Sequence, residues 1–291
     1  MSNTQHHTHI EFHALFKKQG PSKETVSLFR KIIKSYFRKH GRHSLPWRLT
    51  DDPYCILVSE IMLQQTQVER VNDKYRAFTK RFPDFRTLAG APLRSVLKVW
   101  QGLGYNRRAI ALHTLAKTVL ERMEGQLPSS PDILETLPGI GKATAASICA
   151  FAFNKPVIFI ETNIRRVFLH FFFYDKTNVN DKEILPLVEK TLVRSNARQW
   201  YSALMDYGAM LKKGIPNPNV KSMHYSRQSP FEGSNRQLRG KIIRIVTEAG
   251  TLTAARLIEQ TEADPHKVRT VLIQLQKEGF LKKNPRGFTI G

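Results

Sequence analysis

Leu137-Pro138-Gly139-Ile140-Gly141-Lys142 carries the clearest chemistry in this chain. Glycines let a turn direct its backbone N–H groups outward, and a helix starting at Lys142 adds the positive end of its dipole, so the segment suits a phosphate. A plain helix-joining turn could carry the same two glycines, but the continuation into Ala143-Thr144-Ala145-Ala146 favours the phosphate-binding form. Lys and Arg outnumber Asp and Glu by 46 to 24, a net charge of +22 spread along the chain, which points to a polyanionic partner. Incidental polyanion binding would need no more than that charge, so the motifs must decide. Glu60 is the second residue of interest. It stands among Leu57, Ile61 and Met62, either on a helix surface or as a buried acid, and burial raises a carboxyl pKa enough to hold a proton near neutrality.

The elements that must position these residues are helical. Val26, Phe29, Ile32, Ile33 and Phe37 recur at helical spacing after Gly20-Pro21-Ser22, and Ile56, Leu57, Ile61, Met62 and Val68 do so after Asp52-Pro53. Further helical patterns run through residue 212, and almost nothing before residue 220 alternates like a strand. Residues 1–22 read as a flexible arm, 23–212 as an all-α body, and 213–235, rich in Pro, Asn, Ser and Gly, as a linker. Residues 236–291 form a second unit of three helices. Asp264 and Pro265 cap the third helix, and a hairpin turns at Asn284-Pro285-Arg286-Gly287. This pattern resembles a winged helix-turn-helix. Lys267 and Arg269 on its third helix, with Lys282, Lys283 and Arg286 on the hairpin, would meet DNA; the alternative is a module that packs on the body or on a protein.

Composition excludes several classes. Cys55 and Cys149 are the only cysteines, too few for a disulfide framework or a multi-cysteine metal site. No apolar run approaches the ~20 residues needed to cross a bilayer, and the His-rich start lacks the form of a secretory signal. His6, His7, His9 and His13 could bind a metal casually, but a disordered tail is the favoured account, so no metal site is expected. The expected location is the cytoplasm, on the nucleoid if the source is bacterial or archaeal.

Six blocks recur in order over residues 28–212 as in the adenine DNA glycosylase (MutY) family of the helix-hairpin-helix (HhH-GPD) superfamily, which the chain resembles. They are Leu45-Pro46-Trp47-Arg48, the run Ser59-Glu60 through Gln64-Gln65-Thr66-Gln67-Val68, Gly102-Leu103-Gly104-Tyr105, the glycine hairpin, Glu161-Thr162-Asn163-Ile164-Arg165-Arg166-Val167, and Ala203 through Ala209. The resemblance implies that Glu60 protonates a departing adenine and that Glu161 stands where the family has an aspartate beside the cationic sugar. It implies DNA contacts from Arg48, Gln64, Gln65 and Tyr105, with Leu137, Gly139, Gly141, Lys142 and Thr144 forming the phosphate hairpin. Gln64, Gln65 and Tyr105 would fill the gap left by a flipped nucleotide.

The departures from the family are as informative. Glu161 sets its charge one methylene further out, and misplacement by about 1 Å can cost on the order of 100-fold in rate; capping of the following helix is its other role. Ala143 replaces the Schiff-base lysine of bifunctional relatives, so the resemblance implies a monofunctional glycosylase. Ala143 also replaces a polar residue usual in adenine-removing members, and Asn106 stands where many have a second tyrosine. No cysteine follows Met210, so the family's 4Fe-4S cluster is expected to be absent and no cofactor is expected; Lys212, Lys213, Lys221 and Arg227 could contact phosphates instead. The domain that reads 8-oxoguanine is not evident.

The expectation is an all-α, two-lobed body with a C-terminal winged helix. A six-helix lobe spans about residues 45–155, and residues 23–44 plus 156–212 form the other. The chain would act as a monomer on duplex DNA carrying a mismatched or damaged base, with no membrane partner, removing adenine opposite guanine or 8-oxoguanine. Thymine/uracil mismatch removal, or a non-catalytic DNA-binding role on this scaffold, are the alternatives.

Overall fold

The computed structural model describes the backbone of residues 3–291 and side chains from His9 onward; residues 1 and 2, and the side chains of His6 and His7, lie outside the described residues. The helices are α1 (Asn3–Gln19), α2 (Lys23–His40), α3 (Pro53–Leu63), α4 (Val68–Arg81), α5 (Phe85–Gly90), α6 (Leu93–Trp100), α7 (Arg107–Met123), α8 (Pro131–Glu135), α9 (Lys142–Phe153), α10 (Thr162–Phe171), α11 (Asp181–Thr191) and α12 (Ala197–Gly214). After them come α13 (Asn235–Ala249), α14 (Ala254–Thr261) and α15 (Pro265–Lys277), then strands β1 (Leu281–Asn284) and β2 (Gly287–Ile290). The strands pair antiparallel, Leu281 opposite Ile290. The mostly helical class agrees with expectation.

The chain divides into two compact units, 1–53 with 129–135 and 141–227, and 54–128 with 136–140 and 228–291. The first unit is built around α10 and α12. Gly208 permits their close approach, since a Cβ there would meet the Asn163 carbonyl oxygen at 2.3 Å. Phe29 of α2 packs edge-on against Phe171 and Trp200, and Ile164, Phe168, Leu204 and Tyr207 complete a core that excludes water. Helix α2 begins at a Ser22 cap that accepts from the Thr25 amide, and it ends in Arg38, Lys39 and His40, favourable at a helix C-terminus.

The N-terminal arm is corrected from residue 3 onward, because Asn3–Gln19 is helical. Phe12 is fully buried against Phe171 and Phe172, and the His9 ring bonds the Tyr207 hydroxyl at 2.6 Å. Burial of one phenyl ring contributes roughly 2 kcal/mol, which anchors a helix that polar composition alone would leave loose. Part of the expected linker also differs: α12 runs to Gly214, and a 3-10 turn at Pro218–Lys221 joins the first unit, with Asn219 Nδ2 donating to Thr162 O at 3.1 Å. Helix α9, expected in the six-helix lobe, groups with the first unit.

In the second unit, α3 to α7 enclose Phe78, Trp100, Leu112 and Leu115, all fully buried. The C-terminal module has its own core of Ile242, Val246, Leu257, Val271, Leu272 and Phe280. Gly287, at φ +134°, lies where a Cβ would meet Leu252 O at 2.3 Å, and Leu252 and Phe288 exchange backbone hydrogen bonds there. The module is fastened to α6 and α7. Arg94 donates to the Thr247 and Glu248 carbonyls at 2.7 and 2.8 Å, satisfying the end of α13, while Glu278 takes both Arg107 and Arg239.

Candidate functional site

Two loops of the second unit carry three of the expected DNA-contacting residues. Helix α3 ends at Leu63, and Gln64 and Gln65 follow; Tyr105 precedes α7. Gln65 and Tyr105 both hold left-handed backbone angles, φ 53° and 47°, which cost a non-glycine residue about 1–2 kcal/mol each. One buried side chain that sequence reasoning missed, Arg108, sustains both. Its Nη1 donates to Ile61 O and Met62 O at 2.9 and 2.8 Å, closing the C-terminus of α3, and its Nη2 donates to Thr66 Oγ1 and Gly104 O at 3.0 and 3.1 Å. The guanidinium also lies 5.4 Å from both the Trp100 and Tyr105 ring centres. Burial lowers its pKa to about 10, so it stays charged at neutrality. The only signal in the sequence was an arginine in the apolar run that includes Ala109 and Leu112.

Glu60 lies on α3, one turn before Gln64, half-buried between buried Ser59 and Ile61. Tyr105 is 38% exposed, and its hydroxyl accepts from Gln228 Nε2. Gln64, Gln65 and Tyr105 line one groove in this unit.

The residues expected to form the phosphate hairpin divide between the two units at Gly141. Gly139 is at φ +80°, and a Cβ there would lie 2.7 Å from the Ala111 Cβ, so the turn against α7 admits only glycine. Leu137 is buried and its carbonyl accepts from Ile140 N at 3.2 Å. In the first unit, Gly141 caps α9 without a side-chain bond to the first-turn amides, and the space a Cβ would fill at Gly141 is open. Lys142 and Ala143 are exposed and Thr144 is half-buried at this helix start.

Glu161 belongs to the first unit and caps α10. Its Oε1 accepts from the Asn163 and Ile164 amides at 2.6 and 2.9 Å. Burial pushes its carboxyl above the ordinary glutamate range, against the opposing pull of those amides, Arg166 and Arg165. Both arginines are otherwise engaged: Arg165 pairs with Asp181, and Arg166 donates to Asn163 Oδ1 at 2.6 Å and Gly208 O at 2.8 Å.

Arg48, expected on DNA, turns inward. Its Nη1 and Nη2 meet Asp206 at 2.7 and 3.0 Å, and Arg42 Nε meets the same carboxylate at 2.6 Å. A buried carboxylate needs this compensation, which the isolated Leu45-Pro46-Trp47-Arg48 motif could not reveal. Lys267 and Arg269 are exposed on α15, and Lys282, Lys283 and Arg286 are exposed on the hairpin. Lys221 donates to the Tyr174 carbonyl at 2.5 Å.

Cys149 is buried on α9 with its thiol toward Ser129 O at 3.3 Å, Cys55 lies on α3, and the segment after α12 has no thiol. No group of three or more potential metal ligands occurs among the described residues, and no described helix is long and apolar enough to cross a membrane.

Comparison with known proteins adds to this geometry. Residues 58–191 match the HhH-GPD superfamily of base excision DNA repair proteins. An adenine DNA glycosylase of Mycolicibacterium smegmatis is 31% identical over 85% of this chain and 91% of its own length. That of Buchnera aphidicola subsp. Baizongia pistaciae is 38% identical over 67% of this chain, but the match spans only 56% of that relative. Among solved structures, a thermostable thymine-DNA glycosylase superposes with a TM-score of 0.60 at 28% identity, covering 67% of this chain and 91% of its own. The chain belongs to the HhH-GPD superfamily of base excision DNA repair proteins and, within it, to the adenine DNA glycosylase family.

Proposed function

We propose that this chain is a monofunctional DNA N-glycosylase that removes adenine mispaired with guanine or 8-oxoguanine from duplex DNA. The observation that carries the reading is the pair of loops bearing Gln64, Gln65 and Tyr105, braced by Arg108 one turn beyond Glu60. Flipping a nucleotide out of a duplex requires rigid groups to occupy its place, and strained loops held by a buried cation supply them. Lys142 and the start of α9, where the Gly141 cap brings no side chain, take a backbone phosphate, supported by the open approach at Gly141. Lys267 and Arg269 add exposed charge for the flanking duplex.

The chemistry follows from two acids. Glu60 gives its proton to the departing adenine as the bond from C1′ breaks and its electron pair leaves with the base. Glu161, as carboxylate, stabilises the cationic sugar; water then adds to C1′ and loses a proton, leaving an abasic site. Ala143 offers no amine, so no imine forms and the strand stays intact. The chain would do this as a monomer without an iron-sulfur cluster; the packing of the Pro218–Lys221 turn on the first unit supports that reading.

Single-turnover assays on duplexes carrying A opposite G, A opposite 8-oxoguanine, T opposite G and U opposite G, with alkali to reveal abasic sites, test the proposal. Product from the adenine duplexes, lost in Glu60→Gln, is expected. Product only from T or U opposite G would favour the thymine/uracil reading, which the likeness to the thymine-DNA glycosylase keeps in play. Tight binding without product from any duplex would mean a non-catalytic DNA binder.

A further inference from the structure

Beside the two braced loops, within the same unit, lies a groove of about 1020 Å³. One wall is Gln64, Gln65 and Tyr105; the other is a strap containing Gln228 and Phe231, which leads into Arg236 at the start of α13. The strap and α13 lie outside the stretch matched to the glycosylase family, residues 58–191. The geometry points to this groove as the pocket for the unpaired nucleotide opposite the excised base, with Phe231 stacking on that base and Gln228 discriminating among bases. This assignment rests on the glycosylase reading above.

Four observations support it. Extrusion of one nucleotide leaves its partner without a pairing edge, and that base must be held near the groups that fill the gap. Gln64, Gln65 and Tyr105, given that gap-filling role, line this groove, whereas Glu60, assigned to the extruded base, does not. The groove also has the right chemistry for an unstacked base. Phe231 is 60% exposed and Tyr105 38%, giving two aromatic faces, and Gln65, Gln228 and Gln274 bring amides that both donate and accept. An exposed phenyl ring in a cationic groove has no evident folding role, while base-aromatic stacking is favourable for any base. The charge suits a nucleic-acid strand: Arg70, Arg107, Arg236 and Arg239 line the groove, and its one acid, Glu278, is paired with Arg107 and Arg239.

The far wall is fixed in place. Arg107 and Arg239 hold the Glu278 carboxyl down to about 2, so the ion pair persists through the working pH range, and Arg94 fastens the end of α13 independently. Gln228 and Arg236 both reach the Tyr105 hydroxyl, so the strap senses the loop it faces. The pocket is therefore preorganised rather than assembled around DNA, which lowers the cost of ordering it on binding.

The test uses the full chain and duplexes holding a tetrahydrofuran abasic analogue opposite G, 8-oxoguanine, T or C, plus one with the analogue on both strands so that no opposite base exists. Dissociation constants are read by fluorescence anisotropy at fixed salt. Wild type is expected to rank the four bases, and Phe231→Ala to weaken binding to the base-bearing duplexes by at least about fivefold while leaving the doubly abasic duplex within twofold. Gln228→Ala is expected to narrow the spread among the four bases. Equal losses on all five duplexes, or no loss on any, would overturn the assignment. Thermal melting checks that Phe231→Ala folds, as its exposure leads us to expect; Phe231→Leu, which keeps bulk but not the ring face, must show the same loss confined to the base-bearing duplexes. Wild-type glycosylase product together with unchanged affinity for the base-bearing duplexes in Phe231→Ala would sink this pocket alone; absence of product from every wild-type duplex would sink the glycosylase reading instead.

Discussion

Glu161, half-buried, and Asp206, buried, are both carboxylates of the first unit, and their surroundings push them in opposite directions. Asp206, 3% exposed, receives Arg42 and Arg48 on its two oxygens, and although burial opposes them those guanidinia hold its carboxyl below the ordinary aspartate range. Glu161 has two backbone amides but no committed cation, since Arg165 faces Asp181 and Arg166 faces Asn163 and Gly208, and burial therefore raises it. The paired carboxylate has no unspent charge and serves architecture. The unpaired one gains most from a positive charge that arrives late, which is what a sugar approaching an oxocarbenium ion provides.

The largest expected effect tests that division directly. Glu161→Gln keeps an oxygen to cap α10 but removes the charge, and should lower single-turnover base release by roughly 100- to 1000-fold with little change in duplex affinity. Glu161→Asp should hold activity within about tenfold or raise it, because aspartate is a good N-cap and is the acid that the resemblance places beside the sugar. Loss of turnover in Glu161→Asp comparable to that in Glu161→Gln would show a pocket built around the longer acid. Unchanged turnover in Glu161→Gln would remove the charge from the mechanism.

The next effect belongs to Asp206. Asp206→Asn leaves two guanidinia facing a neutral amide, and breaking a buried pair costs about 3–5 kcal/mol, reduced here because Arg42 is a third exposed. Urea unfolding should show a loss near 3 kcal/mol, while the chemical rate of the folded fraction stays within a few-fold. A variant as stable as wild type would mean that the arginine pair finds equivalent partners in water.

Residues whose role is local were legible from sequence, and those whose role depends on distant partners were not. Gly139 is fixed by its own turn, and Asp264 and Pro265 start α15 as capping chemistry requires. Arg48 read as a DNA contact because Asp206, 158 residues away, was not visibly its partner. Arg108 went unnoticed because a buried arginine bonding carbonyls from two loops leaves no periodic trace. Helix α1 was missed because only Phe12 and Phe16 mark its apolar side in a polar stretch, and their burial comes from Phe29 of α2 and from Phe171 and Phe172 at and just past the end of α10. Glu161 was found by matching a motif, but its raised carboxyl needed the surrounding packing to become visible.

The smallest effect sharpens the contrast through pH. A carboxyl whose folded pKa is raised contributes stability below its unfolded value, near 4.5, and loses that contribution as pH rises through the higher folded value. Glu161→Gln should therefore melt with wild type near pH 4 and a few degrees above it near pH 8. Asp206 has the reverse sign: its folded pKa is depressed, so its contribution is present above about 3.8 and disappears as pH falls through the folded value. The deficit of Asp206→Asn should be full at pH 7 and shrink only in strong acid. Calorimetric scans from pH 3 to 8 on the two variants should give difference curves that change over separate pH ranges. If the melting difference between Glu161→Gln and wild type were flat across that range, burial would not be raising Glu161, and the two carboxylates would differ only in which residues they touch.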